Sequence, residues 1–132
     1  MMRKLARILL VISTVTLGLV SGMAQGHHNF AAQYDAEKTA QLQGVVVKVD
    51  WLNPHAYFYI DVTDEKTGEV LTWACELGAP VSLMRRGWTR HSLSIGEIVN
   101  VEGNLSRDGS TSLSAFSVIL ESSGQKLFSG QN

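Results

Sequence analysis

Residues 40–62 read AQLQGVVVKVDWLNPHAYFYIDV, and this stretch decides the fold. In its first half Val45, Val46, Val47 and Val49 are set against the polar Lys48 and Asp50, which suits a long strand over residues 40–51. Gly44 inside that run predicts a bulge or a sharp bend, and Asn53 and Pro54 end it. The second half alternates cleanly. Ala56, Phe58, Ile60 and Val62 fall on one face and His55, Tyr57, Tyr59 and Asp61 on the other, so a strand over 55–62 carries the first set into the core.

Working outward, the polar segment TDEKTGE at 63–69 joins this strand to a third over 70–77 as a hairpin. Leu71, Trp73, Cys75 and Leu77 then share one side of the third strand. Pro80 near the start and Gly87 past the end delimit one short helix over 79–86, with Val81 and Met84 expected to face inward. Strands follow over 97–105 and 112–122, separated by the turn Ser106-Arg107-Asp108-Gly109, and a short closing strand is expected over 126–128. The predicted class is all-β with one short helix: a small five- to six-stranded OB-like Greek-key barrel. The alternative is a small open sandwich, and closure is favoured because it removes exposed edges from a domain without disulfides.

Before this domain, Arg3, Lys4 and Arg7 precede an apolar run from Ile8 to Val20, and Ser21, Gly22 and Ala24 follow it. That is the order of a secretory signal peptide, expected over 1–26 with cleavage after Ala24 or Gly26. The apolar run is 13 residues long, short of the roughly 20 needed to span a bilayer as a helix. No membrane attachment is therefore expected after cleavage. The remainder, 27–132, reads as a single domain with a short histidine-bearing tail in the periplasm.

Three of the eleven Lys and Arg lie in the signal and none of the twelve Asp and Glu do, so the processed chain is acidic, at about −4. Nucleic acid is not an expected partner, since phosphate binding needs clustered basic residues. The only basic cluster, Arg85, Arg86 and Arg90, reads as solvated surface, and a periplasmic protein is the partner class left open. The single cysteine, Cys75, excludes an internal disulfide and is expected to be buried in its strand.

Enzyme signatures are missing from the sequence. It has no Gly-rich phosphate loop, no Gly-x-Ser-x-Gly, no His-Glu-x-x-His and no Cys-x-x-Cys, and nothing in the spacing of Asp50, Asp61 and Glu76 singles out an acid/base pair. The histidines are more informative. Cleavage after Ala24 makes His27 the third residue, where an amine, two backbone nitrogens and an imidazole can enclose Cu(II) or Ni(II) in a square plane. Cleavage after Gly26 makes His27 the first residue, a chelate that needs one further imidazole from His28, His55 or His91. The expected metal ligands are His27, His28 and His55, and the expected ion is copper or another transition metal. His91, in a polar loop, reads as a surface residue. The rival is a non-metal module in which Trp51, Tyr57 and Tyr59 form an aromatic face for a peptide, a glycan or a protein. Trp73 and Trp88 are expected in the core.

The series His27-His28-Asn29-Phe30, Trp51-Leu52-Asn53-Pro54-His55-Ala56, Trp73-Ala74-Cys75-Glu76-Leu77 and Arg86-Gly87-Trp88 resembles an exported bacterial family catalogued as domain of unknown function six-one-five-two. Its members share an early His-His-x-Phe, a central Asn-Pro-His, a Trp-x-x-Glu-Leu and a Gly-Trp. The resemblance covers nearly the whole processed chain. It implies that His27, His28, Phe30, Asn53, His55, Glu76 and Trp88 belong to one shared design, and it brings no activity with it.

Overall fold

A computed structural model describes residues 30–128. The chain divides into two units, residues 1–33 and 34–132. Of the first, only the helical residues 30–33 are described. The signal-peptide segments and His27 and His28 lie outside the described residues. Among the described residues no helix is long and apolar enough to cross a membrane.

The second unit is built from β1 (Tyr34–Asp50), β2 (Tyr57–Thr63), β3 (Val70–Glu76), α1 (Pro80–Arg85), β4 (Ile98–Ser106), β5 (Ser112–Leu120) and β6 (Lys126–Phe128). The sheet order is β3-β2-β1-β4-β5-β6, and a further parallel pairing of β3 with β5 joins its ends. Strands β1, β2, β3, β5 and β4 thus form a closed ring, with α1 between β3 and β4, which is the OB-type Greek-key barrel. The closing seam is short: Ala74 pairs with Ser112, Cys75 with Leu113 and Glu76 with Ser114. The Ala74 N–H donates to the Thr111 carbonyl at 3.0 Å, and the Thr111 hydroxyl donates to the Thr72 carbonyl at 3.0 Å.

β1 is longer than its sequence predicts, reaching back to Tyr34. Its first half pairs with β4, as in Thr39 with Asn104, and its second with β2, as in Asp50 with Tyr57. The change of partner is made near Gly44, where a Cβ would stand 2.7 Å from the Asp61 carbonyl oxygen, so the strands can approach only where a side chain is missing. The bulge falls between Val46 and Lys48, just beyond the glycine.

The alternation read in β2 holds. Ala56, Phe58 and Ile60 are fully buried, and they meet Val46, Cys75, Leu77, Val99, Val101, Leu113 and Val118 in one core. Trp88 is buried within it and Trp73 packs against it. Each fully buried Ile, Leu or Phe stabilises the fold by about 2 kcal/mol relative to an exposed one.

The helix is oriented differently from its expected facing. Pro80 and Leu83 are buried, whereas Val81 and Met84 are 51% and 54% exposed. The backbone N–H of Trp88 closes on the Leu83 carbonyl at 3.0 Å, so the residues that anchor α1 to the core are Leu83 and the tryptophan that follows.

Gly103 supplies a test of the packing. A Cβ there would lie 2.5 Å from the Ser114 carbonyl oxygen and 2.7 Å from Leu113 Cδ1, so backbone would have to move. Gly103→Ala is expected to destabilise the fold by about 2 kcal/mol, seen as an earlier urea midpoint at unchanged m-value.

Candidate functional site

The alternation that sends Cys75 into the core places Glu76 on the opposite face, directly across from Tyr57 on β2. That face would ordinarily be wet. Here it lies at the β3–β5 seam, beside the start of β1 and the β1–β2 connection, and Glu76 is only 4% exposed. A buried carboxylate needs donors, and three reach it. The Tyr34 phenol donates to Oε2, the Nδ1 of His55 contacts Oε1, and the Tyr57 phenol is the third. The Ser112 hydroxyl in turn hydrogen-bonds Tyr34. Among the described residues no buried side-chain N or O lacks a partner.

A carboxylate accepts, so Nδ1 of His55 is the nitrogen that donates to Glu76, and Nε2 is directed away from it. The His55 side chain is 45% exposed, in contrast to the acid beneath it. Glu76 makes no ion pair with Lys or Arg among the described residues, and His55 is its one basic partner. The arrangement can therefore hold an imidazole in a fixed tautomer and orientation with a basic nitrogen turned outward.

Both phenols remain protonated well above neutrality. Burial is the first cause for Tyr34 and Tyr57 alike, and the hydrogen bond to Glu76 is the second. Each folded value lies above the ordinary 10.0, so the unfolded chain ionises first. This contribution to stability is whole below that value and is lost as pH rises through the folded ones. Absorbance titration at 295 nm is expected to show Tyr34 and Tyr57 ionising only together with alkaline unfolding, and Tyr34→Phe should remove one of the late phenolates.

The other sequence-predicted residues are placed as follows. Tyr57 joins His55 on Glu76, and Tyr59 lies under Lys48, whose Nζ stands 5.0 Å from the ring centroid. Trp51 is partly buried against the core. His91 sits in an exposed turn, where its backbone N–H donates to the Thr89 hydroxyl at 3.1 Å. Cys75 is buried, and burial pushes its thiol up to about 12, which leaves it protonated.

Tyr34 is the functional candidate that sequence reasoning missed, because it precedes every alternating segment. Among the described residues no three His, Cys, Asp or Glu side chains gather as a metal cluster. Asp64 and Asp108 are engaged in their own turns: Asp64 accepts from the Lys66 and Thr67 N–H groups, and hydrogen bonds led by Ser110 hold Asp108 at about 2. A groove of about 390 Å³ crosses β1, β4 and β5, lined by Gln41, Gln43, Asn100, Glu102 and Ser117 among others. It shares no residue with the Glu76 cluster and holds no imidazole or thiol, so the candidate chemistry belongs to the cluster.

No curated protein and no solved structure matches the chain. A family model described as "Family of unknown function (DUF6152)" matches residues 16–114, a span that takes in β1 to β4 and the start of β5. The chain belongs to that family, the one its four ordered motifs resemble.

Proposed function

We propose that this is an exported, periplasmic, non-enzymatic OB-like protein that binds a transition-metal ion, copper before others, through His55 together with His27 and His28. The observation that carries the reading is the contact between the buried Glu76 carboxylate and His55 Nδ1. Metal-ligating histidines characteristically donate their second ring nitrogen to a carboxylate, which fixes the tautomer and raises the basicity of the ligating nitrogen. The charge balance supports the same reading, because a cation on Nε2 would offset a buried anion that no Lys or Arg neutralises among the described residues. Cys75 is buried and protonated, so the ligand set is nitrogen-based, and copper stands highest for such a set among the divalent first-row metals. In sequence, five residues separate His28 from Tyr34, which shares Glu76 with His55.

The aromatic-face reading has less in its favour. The Tyr57 phenol is engaged by Glu76, Lys48 covers Tyr59, and Trp51 packs inward.

Titration of the processed protein with Cu(II) tests the proposal. One equivalent is expected to bind with a dissociation constant of about 1 µM or tighter. His55→Ala, and His27→Ala combined with His28→Ala, should each weaken binding by about tenfold or more. Binding indifferent to both sets of changes contradicts the proposal.

A further inference from the structure

Between Glu76 and Glu97 the chain runs for twenty residues, 77–96, without a single Asp, Glu or Lys, although the chain as a whole is slightly acidic. Three arginines stand in this stretch, Arg85, Arg86 and Arg90, and all are exposed. The ion pairs among the described residues are Lys38 with Asp35, Arg107 with Asp35, Lys48 with Asp50 and His55 with Glu76, so none engages these three. Arg85 in the last turn of α1 complements the helix dipole, but Arg86 and Arg90 lie beyond the helix.

The second observation is the outward facing of α1. With Pro80 and Leu83 buried, the helix presents Val81 and Met84 to solvent beside the arginines that follow. Among the described residues, nothing covers these two large aliphatic side chains or pairs the positive charge that follows them in the chain.

We infer that this surface, formed by α1 and the turn after it, docks an acidic, partly apolar segment of another protein. Arginine guanidinium groups take carboxylates in bidentate pairs, and Val81 and Met84 supply the apolar contact that exposed ion pairs alone lack. The composition distinguishes a protein from a lipid partner. Arginine and methionine are enriched in protein interfaces and lysine is depleted, as in this stretch. A membrane-surface segment inserts Trp, Phe or Leu from its apolar face, and here Trp88, Leu77, Leu83 and Leu93 are all buried in the core.

The test uses the processed chain with two probes: a synthetic peptide of repeating Glu-Glu-Leu, and vesicles of phosphatidylglycerol. In ¹⁵N–¹H spectra the peptide is expected to shift amides within residues 80–96. Its affinity should fall about tenfold or more in the R85E/R86E/R90E variant and several-fold in V81S/M84S. All five positions are exposed, so both variants keep the fold. Failure to bind the peptide, shifts centred elsewhere, affinity unmoved by either variant, or binding to the vesicles in preference to the peptide overturns the inference.

Discussion

Glu76→Leu is expected to destabilise the fold by about 3 kcal/mol, a larger loss than its position on an outward strand face would suggest. The side chain is 4% exposed and accepts from Tyr34, His55 and Tyr57. A leucine fills the space but accepts nothing. The buried Tyr34 phenol and the half-buried Tyr57 phenol then lose their shared carboxylate acceptor, and a buried donor that loses its acceptor costs about 1 to 3 kcal/mol. Urea denaturation should show the loss at unchanged m-value, and Tm should fall by about 15 °C. Tyr34→Phe alone removes a donor and its share of the acceptor's satisfaction, and is expected to cost about 1 kcal/mol. The double variant Tyr34→Phe/Glu76→Leu should be less destabilised than the sum of the two, because the phenol orphaned by leucine is gone. Additivity would mean that the Tyr34–Glu76 contact does not contribute to stability.

Glu76→Gln separates positioning from packing. The amide keeps the volume and an acceptor oxygen, so the barrel should lose less stability than with leucine. The negative charge that makes His55 a better ligand is removed, and the amide N–H₂ competes for the place of the acceptor opposite Nδ1. Cu(II) affinity is therefore expected to fall by about tenfold to a hundredfold while the unfolding midpoint moves little. A variant that binds copper as the native chain does would show that Glu76 serves the fold alone.

The fold was largely legible because it is written in short-range pattern. β2 alternates with period two, Gly44 marks where β1 changes partner, and Pro80 and Gly87 delimit the helix. Two parts were not legible. Residues 35–39 of β1 read DAEKT, a polar run that crosses an irregularity between the Tyr34–Ser106 and Thr39–Asn104 pairs and is tied down by the anchoring of Tyr34 to an acid 42 residues away. In α1, Pro80 with Leu83 and Val81 with Met84 are both pairs three apart, so a six-residue helix offers no periodicity with which to choose the inner pair.

The site divides along the same line. His55 was marked by its place on the polar face of a clean strand pattern and by its motif. Glu76 was marked by its motif, but nothing in its place between Cys75 and Leu77 gave it a partner. Its partners come from the starts of β1 and β2, which the barrel closure brings together, and no spacing along the chain encodes that meeting.

The most direct test of the account is electron spin-echo envelope modulation on the processed protein loaded with one equivalent of Cu(II), which counts coordinated imidazoles through their remote nitrogens. More than one imidazole is expected in the native chain, and one fewer in His55→Ala with the other signals retained. A spectrum that His55→Ala leaves unchanged would place the copper away from the Glu76-anchored histidine and contradict it.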